Sequence, residues 1–220
     1  INLYRSGIPY AFTAIGSGIA STVKAYRKIG GITPVKSGED FYFIQKLWKA
    51  GKVLTYCNTV CYPSARASNR VFFGTGPAII KGLNNDWKSY PIYPFSLFEK
   101  LREIYDNFEK LWDTQNSSSN SNSNGNSDCN SDCVFDQSTL KKFRSNAATR
   151  QQFVKFCTEK FDALRILQYL KSHYTQDDTA DMENLRELLA YCGTSYESLS
   201  QAREVLFNKE QEFRASIKVF

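Results

Sequence analysis

The chain has 220 residues, of which 42% are hydrophobic and 15% are aromatic, and it carries a net charge of +6. This length accommodates one large domain or two small ones, and the apolar content is sufficient for a packed core. No apolar run approaches the roughly eighteen residues of a membrane-spanning helix, so the sequence predicts no such helix.

The positive charge is concentrated in the first part of the chain. Residues 1–95 carry 12 Lys/Arg and 3 Asp/Glu, a balance of +9, whereas residues 96–220 carry 16 and 19, a balance of −3. A basic first part suits a phosphorylated or otherwise anionic ligand, and solvated charge that maintains solubility accounts for it equally. The cations form no dense stripe, so we predict no nucleic-acid partner.

Strand-like and helix-like patterns alternate over residues 10–62. Residues 10–15 are strand-like, residues 24–29 form a short helix before a Gly-Gly pair, residues 39–50 form a second helix, and residues 52–62 are again strand-like. This alternation predicts an α/β arrangement. The strands are too few for a complete sheet and the chain starts without Met, so we expect it to begin inside a longer protein.

The pattern becomes helical from residue 96. Apolar residues recur at helical spacing along 97–112. Residues 114–133 are almost entirely Asn, Ser, Gly and Asp, which predicts a disordered loop. Further helical stretches are predicted at 138–173 (one long helix or two shorter ones), 179–192 and 195–217. The sequence therefore predicts an α/β domain at 1–95 followed by an all-α helical extension at 96–220.

Six cysteines and a single histidine limit the metal chemistry that the sequence predicts. Cys57 and Cys61 form one C-x3-C pair and Cys129 and Cys133 form another, a spacing looser than that of structural zinc sites. Free buried thiols in a reducing compartment are the interpretation that we prefer, so we predict no metal site. His173 has no second histidine to act with, and we assign it no role.

Glu39 and Asp40 are the most informative residues, because they place two adjacent carboxylates at a predicted helix start. The helix dipole and the free backbone N–H groups favour acidic residues there, and a carboxylate at such a place can act as a general base. The alternative is structural, since Ser37 and Asp40 fit the Ser-x-x-Asp pattern of a capping pair.

The order of motifs between residues 12 and 53 resembles that of a known family. A strand and small-residue turn come first, then a short helix ending in Gly-Gly, then the Glu-Asp helix start, and finally a Gly that closes that helix. The matching segments are Phe12 to Gly18, Lys24 to Ile32, Gly38 to Phe43 and Leu47 to Val53. This order resembles the acceptor half of family 2 glycosyltransferases, which have the A-type nucleotide-sugar fold. The resemblance covers residues 10–76.

The resemblance implies roles for individual residues. Asp40 matches the catalytic base, which removes the proton from an acceptor hydroxyl as it attacks the anomeric carbon of the sugar. Glu39 and Gly38 fall where the acceptor is bound. Ser17 lies in the small-residue turn that allows the backbone to approach a sugar closely.

Arg66 and Arg70 fall near a basic motif that contacts the nucleotide diphosphate in some relatives. Arginine binds phosphate through a planar fork of donors, and solvated surface charge is the alternative interpretation. The family's Asp-x-Asp metal motif is absent from the chain. The resemblance therefore implies Mg or Mn for the complete enzyme, no cofactor for this chain, and no activity of this chain alone.

The function implied by the resemblance is inverting transfer of a sugar from a nucleotide-diphosphate sugar to a glycan, a lipid-linked sugar or a protein. The implied location is the cytoplasm, with peripheral association at the inner face of the membrane left open. The alternative is a non-catalytic helical interaction or scaffold module. Burial of Glu39 or Asp40 in ion pairs would favour that alternative.

Overall fold

The structure is a computed structural model that describes residues 1–12, 18–54, 64, 66–72, 74–86, 91–117, 134–175 and 177–216. About 64% of these residues are helical, and none of them is in a strand. The chain divides into two compact units. Unit 1 comprises Ile1–Ala11 and Pro94–Thr175, and unit 2 comprises Phe12–Tyr93 and Gln176–Phe220.

Each unit contains five of the described helices. Those of unit 1 are α1 (Asn2–Arg5), α5 (Phe95–Ser117), α6 (Gln137–Asn146), α7 (Arg150–Lys160) and α8 (Ala163–Ser172). Those of unit 2 are α2 (Val23–Lys28), α3 (Glu39–Ala50), α4 (Thr75–Leu83), α9 (Asp178–Tyr191) and α10 (Leu199–Ser216). In the part of the chain that the structure describes, no helix is both long and apolar enough to cross a bilayer.

The prediction of an α/β fold is wrong for the described residues. Of the predicted strand at 10–15, residues 10–12 are not in a strand, and residues 13–15 lie outside the described ranges. Residues 52–54 of the second predicted strand are also irregular, and residues 55–62 lie outside. Alternating side chains are a local signal, whereas a strand exists only where a neighbouring strand accepts and donates its backbone hydrogen bonds. The described part of the chain provides no such neighbour.

The core of unit 1 forms around α5. Four residues at the predicted helical spacing, Leu97, Leu101, Ile104 and Phe108, are buried on one side of this helix, which confirms the predicted stripe. This side packs against α7, α6 and α1. Helix α5 continues through Ser117 into the predicted loop at 114–133, and residues 118–133 lie outside the described ranges.

Local caps divide the predicted helical region 138–173 into three helices. Asp136, Thr149 and Asp162 precede α6, α7 and α8, and each side chain accepts a hydrogen bond from a first-turn backbone N–H. The expectation of one or two helices here is therefore wrong. Hydrogen bonds from Ser138 and Thr139 lower the pKa of Asp136 to about 2, so this cap stays ionised at neutral pH.

Two tyrosines, the buried Tyr10 and the half-buried Tyr105, connect the elements of unit 1. The Tyr10 hydroxyl donates to the Thr158 carbonyl at 2.9 Å, and the Tyr105 hydroxyl donates to the Phe161 carbonyl. Burial raises the pKa of both phenols well above the ordinary value. Both hydroxyls therefore stay protonated and keep donating over the physiological pH range.

In unit 2, α2 and α3 pack against each other through an aromatic contact. The Tyr26 ring lies 5.8 Å from the Phe43 ring, centroid to centroid. Phe43 and Ile44 are buried on α3, and the Lys46 ammonium donates to the Gly31 carbonyl at 3.3 Å. The helix predicted at 39–50 is confirmed as α3.

We predict that Gly31→Ala lowers the free energy of unfolding more than Gly30→Ala does. Both glycines have left-handed backbone torsions, with φ of +73° at Gly30 and +71° at Gly31. A Cβ atom on Gly31 would lie 2.8 Å from the Tyr26 ring, whereas one on Gly30 would meet nothing within 4 Å. Each substitution therefore costs about 1 kcal/mol of backbone strain, and only Gly31→Ala adds an overpacking cost of about 1–3 kcal/mol.

Urea unfolding of the two variants tests this prediction. Because the strain is matched, the difference between their unfolding free energies isolates the clash with Tyr26. Equal losses for the two variants would contradict the contact between Gly31 and Tyr26.

Candidate functional site

The two predicted carboxylates open α3. Gly38 precedes them at the N-cap in a left-handed conformation, with φ of +80°, and Glu39 and Asp40 are the first two residues of the helix. Glu39 is exposed and Asp40 is half-buried. The Asp40 Oδ1 accepts the N–H of Phe41 at 2.8 Å, so this carboxylate meets one of the free donors of the first turn.

The capping pair between Ser37 and Asp40 is not formed. Helix α3 has no side-chain hydrogen bond at its N-cap. The Ser37 Oγ instead accepts the backbone N–H of Phe72 at 2.9 Å, from 35 positions further along the chain. The predicted pairing of Ser37 with Asp40 is therefore wrong, whereas Asp40 still accepts a first-turn N–H, and Ser37 serves to join two segments.

The Ser37 contact brings the basic loop to the start of α3. The loop is the described segment 66–72, which carries Arg66 and Arg70, both exposed. The Lys36 ammonium lies 4.2 Å from the centroid of the Phe72 ring, which adds a cation–π contact beside the hydrogen bond of Ser37. The segment before the carboxylate pair is thus linked to the end of the basic loop, through Lys36 and Ser37 on one side and Phe72 on the other.

The beginning of α4 lies against the same loop. A Cβ atom on Gly76 would come within 2.6 Å of the Ser68 carbonyl oxygen, so only glycine allows this approach. Helix α4 has no side-chain cap at Gly74. Its first backbone N–H groups carry partial positive charge, which adds to that of the arginines in the loop.

The predicted site residues form no ion pairs with one another in the described ranges. Neither Glu39 nor Asp40 is paired with a cation, and neither Arg66 nor Arg70 with a carboxylate. Ser17 lies outside the described residues, so its predicted place beside the acceptor stays a prediction. A half-buried carboxylate without an ion-pair partner keeps its lone pairs available for a proton.

The described residues do not fit the metal that the resemblance implies. No group of three or more His, Cys, Asp or Glu side chains in the described part of the chain could hold an ion. Glu39 and Asp40 provide two carboxylates from one helix start, and a divalent cation needs more protein ligands or a bound phosphate. We therefore derive no chemical step through a metal.

Sequence reasoning missed two contacts that shape this site. One is the bond between Ser37 and Phe72, and the other is Lys46, which donates to both the Gly31 carbonyl and the Thr33 Oγ1. No sequence pattern marks a hydrogen bond between positions so far apart. The sequence marked Ser37 only as part of a Ser-x-x-Asp capping pattern, which is local and does not indicate a distant partner.

Neither of the two cysteines that the structure describes is in a disulfide. Cys157 is buried in unit 1 and Cys192 is half-buried in unit 2. Cys57, Cys61, Cys129 and Cys133 lie outside the described residues, so the preferred interpretation of these two pairs stays a prediction.

Comparison with known proteins gives no relative from which a function could be transferred. No family model, no curated protein and no solved structure matches the chain. The resemblance to family 2 glycosyltransferases therefore stays an expectation from the motif order, and its α/β fold is contradicted by the described residues.

Proposed function

We propose that this chain supplies acceptor-side residues of an inverting glycosyltransferase, with Asp40 as the general base. The observation that supports this proposal is the bond between Ser37 and Phe72. It joins Ser37, two residues before the carboxylate pair, to Phe72, two residues after Arg70, and acid–base catalysis and leaving-group binding need such groups close together.

The proposed reaction is a single displacement at the anomeric carbon of the donor sugar. The acceptor hydroxyl attacks this carbon, and its proton passes to a carboxylate oxygen of Asp40. The bond between the carbon and the diphosphate oxygen breaks, and the nucleotide diphosphate leaves with the electron pair. Glu39, Gly38 and Ser17 are proposed to orient the acceptor.

Arg66 and Arg70 are proposed to bind the leaving diphosphate. Their guanidinium groups are exposed, and the nearby start of α4 adds partial positive charge. Donors fixed where negative charge develops stabilise the transition state without reorganisation. Mg or Mn stays a proposal for the complete enzyme, because the described residues supply no ligand set for it.

We propose the cytoplasm as the location of this reaction. The support is Cys192, whose thiol is in no disulfide in the described residues, since disulfides are rare where glutathione keeps thiols reduced. The inner face of a membrane belongs to the same proposal, because a lipid-linked acceptor would be met there.

Donor turnover by the complete protein tests the proposal. A panel of nucleotide-diphosphate sugars is offered with Mg or Mn, and release of the nucleotide diphosphate is measured. We expect turnover of at least one donor and about a 10²-fold loss of kcat/KM on Arg66→Gln/Arg70→Gln, because two charge-assisted contacts to phosphate are removed.

The matched control is Lys141→Gln/Lys142→Gln on α6, which removes two exposed charges from unit 1. We expect this control to keep the parent rate. No turnover of any donor, or equal losses in the two variants, would contradict the proposal.

A non-catalytic helical interaction module is the second candidate. An open groove of about 350 Å³ in unit 1 favours it. The groove is lined by both charged and apolar residues, among them Arg5, Ile8, Arg102, Tyr105 and Val154. None of the predicted site residues borders it. The absence of donor turnover, together with peptide binding that Val154→Asp abolishes, would support this candidate.

A further inference from the structure

The α2–α3 pair carries a strongly basic surface. The Lys28 ammonium donates to the Ala50 carbonyl at 2.8 Å, which brings the last turn of α2 to the last turn of α3. Five cations lie on α2, in the last turn of α3 and just after α3. We call this surface the basic end, and it comprises Lys24, Arg27, Lys28, Lys49 and Lys52.

The acidic residues of this helix pair lie at the start of α3. Between residues 22 and 54, Glu39 and Asp40 are the only carboxylates, and both are in the first turn of α3. Nine residues of helix separate Asp40 from Lys49, or about 13 Å of rise. The carboxylates therefore offset little of the positive potential around Lys49 and Lys52 in physiological salt.

The exposed cations of the basic end have no ion-pair partners in the described part of the chain. This holds for Lys24, Arg27, Lys28 and Lys52. Some exposed cations elsewhere are paired with carboxylates, as in Arg150–Asp113, Lys155–Glu159 and Arg186–Glu183, and others, such as Arg66 and Arg70, are not paired in the described ranges.

Lys24 and Lys28 also face each other one helical turn apart, which is unfavourable for like charges. A helix C-terminus attracts cations through its dipole. That accounts for Arg27 and Lys28 in the last turn of α2 and for Lys49 in α3, and it does not account for Lys24 at the start of α2.

Aliphatic side chains are exposed beside these cations. Val23, the neighbour of Lys24, is 67% exposed, and Leu54, two residues after Lys52, is 73% exposed. Exposed aliphatic groups among exposed cations are typical of surfaces that bind a bilayer. The aliphatic groups enter the headgroup region, and the cations interact with anionic lipids.

We propose that the basic end docks on the anionic headgroups of a lipid bilayer. Charge complementarity identifies the partner: Lys24, Arg27, Lys28 and Lys52, which form no ion pairs in the described residues, meet lipid phosphates and carboxylates. Val23 and Leu54 bury aliphatic surface among the headgroups. The proposal goes beyond the transfer reaction and does not depend on it, since none of these residues belongs to the proposed catalytic site.

Vesicle sedimentation of the 220-residue chain tests the proposal. Phosphatidylcholine vesicles are compared with vesicles that also contain phosphatidylserine, and we expect strong binding only to the latter. Arg27→Glu/Lys52→Glu should weaken this binding at least about tenfold, because each cation near an anionic surface contributes about a fivefold factor. Circular dichroism and urea unfolding verify that each variant is folded.

Two further variants separate the possible outcomes. Lys141→Glu/Lys142→Glu on α6 makes the same charge change on an exposed helix and should leave the binding within about twofold. Leu54→Ser removes only aliphatic contact and should weaken the binding about threefold or more.

Three results would overturn the proposal. The first is equal binding to the two kinds of vesicle. The second is an equal loss in the α6 variant, which would reveal a response to net charge alone. The third is tighter binding to single-stranded RNA than to phosphatidylserine vesicles, unchanged by Leu54→Ser, which would assign the basic end to nucleic acid.

Discussion

Asp40→Asn is expected to lower kcat for sugar transfer by about 10²–10⁴-fold in the complete protein, while the nucleotide still binds. This is the range that a positioned general base contributes. Asparagine has nearly the same shape as aspartate and keeps an oxygen that can accept the Phe41 N–H, so the start of α3 should stay intact. The neutral amide cannot take the proton of the acceptor hydroxyl.

The measurement is single-turnover transfer, with nucleotide binding determined separately by calorimetry. The matched control is Glu39→Gln, which neutralises the neighbouring exposed carboxylate at the same helix start. We expect this control to raise KM for the acceptor and to change kcat by less than about tenfold. Transfer by Asp40→Asn at the parent rate would remove Asp40 from the mechanism.

Phe153→Ala is expected to destabilise the protein by about 3–5 kcal/mol, which is the usual cost of removing a fully buried phenylalanine. Phe153 is 0% exposed in α7, and its ring packs edge-on against Trp112 at a centroid distance of 5.7 Å. The substitution would leave a cavity between α5 and α7, the helices with the most extensive packing in unit 1. Urea unfolding followed by circular dichroism measures the loss.

Phe207→Ala is the matched control for the core substitution. It removes the same side chain from α10, where Phe207 is 59% exposed, so little apolar burial is lost. We expect it to cost less than about 1 kcal/mol. Equal losses at the two positions would contradict the burial of Phe153.

The helical parts of this fold were predictable because their signals are local. The apolar stripe from Leu97 to Phe108 follows the helical period, and the residues of this stripe are buried as expected. The residues Thr149 and Asp162 are frequent N-caps, so the starts of α7 and α8 could also have been found. The interpretation of 138–173 as one or two helices gave too little weight to these caps.

The predicted strands are wrong because a strand needs a neighbouring strand with which to exchange backbone hydrogen bonds. Residues 10–12 and 52–54 have side-chain patterns that suit a strand, yet their backbones pair with no other strand in the described ranges. Tyr10 instead turns to φ of +67° and buries its ring in unit 1. The energy of that burial, and of its bond to Thr158, outweighs a local preference for extended backbone.

The sequence by itself determined where α3 begins and which carboxylates open it, because the dipole and the free N–H groups of a first turn act on adjacent residues. Only the tertiary structure decided the partner of Ser37. Its hydroxyl could accept a first-turn N–H or one from a distant loop, and Phe72, 35 positions away, provides the donor. Such a choice depends on which distant segments pack together, and packing of that kind leaves no periodic signal in the sequence.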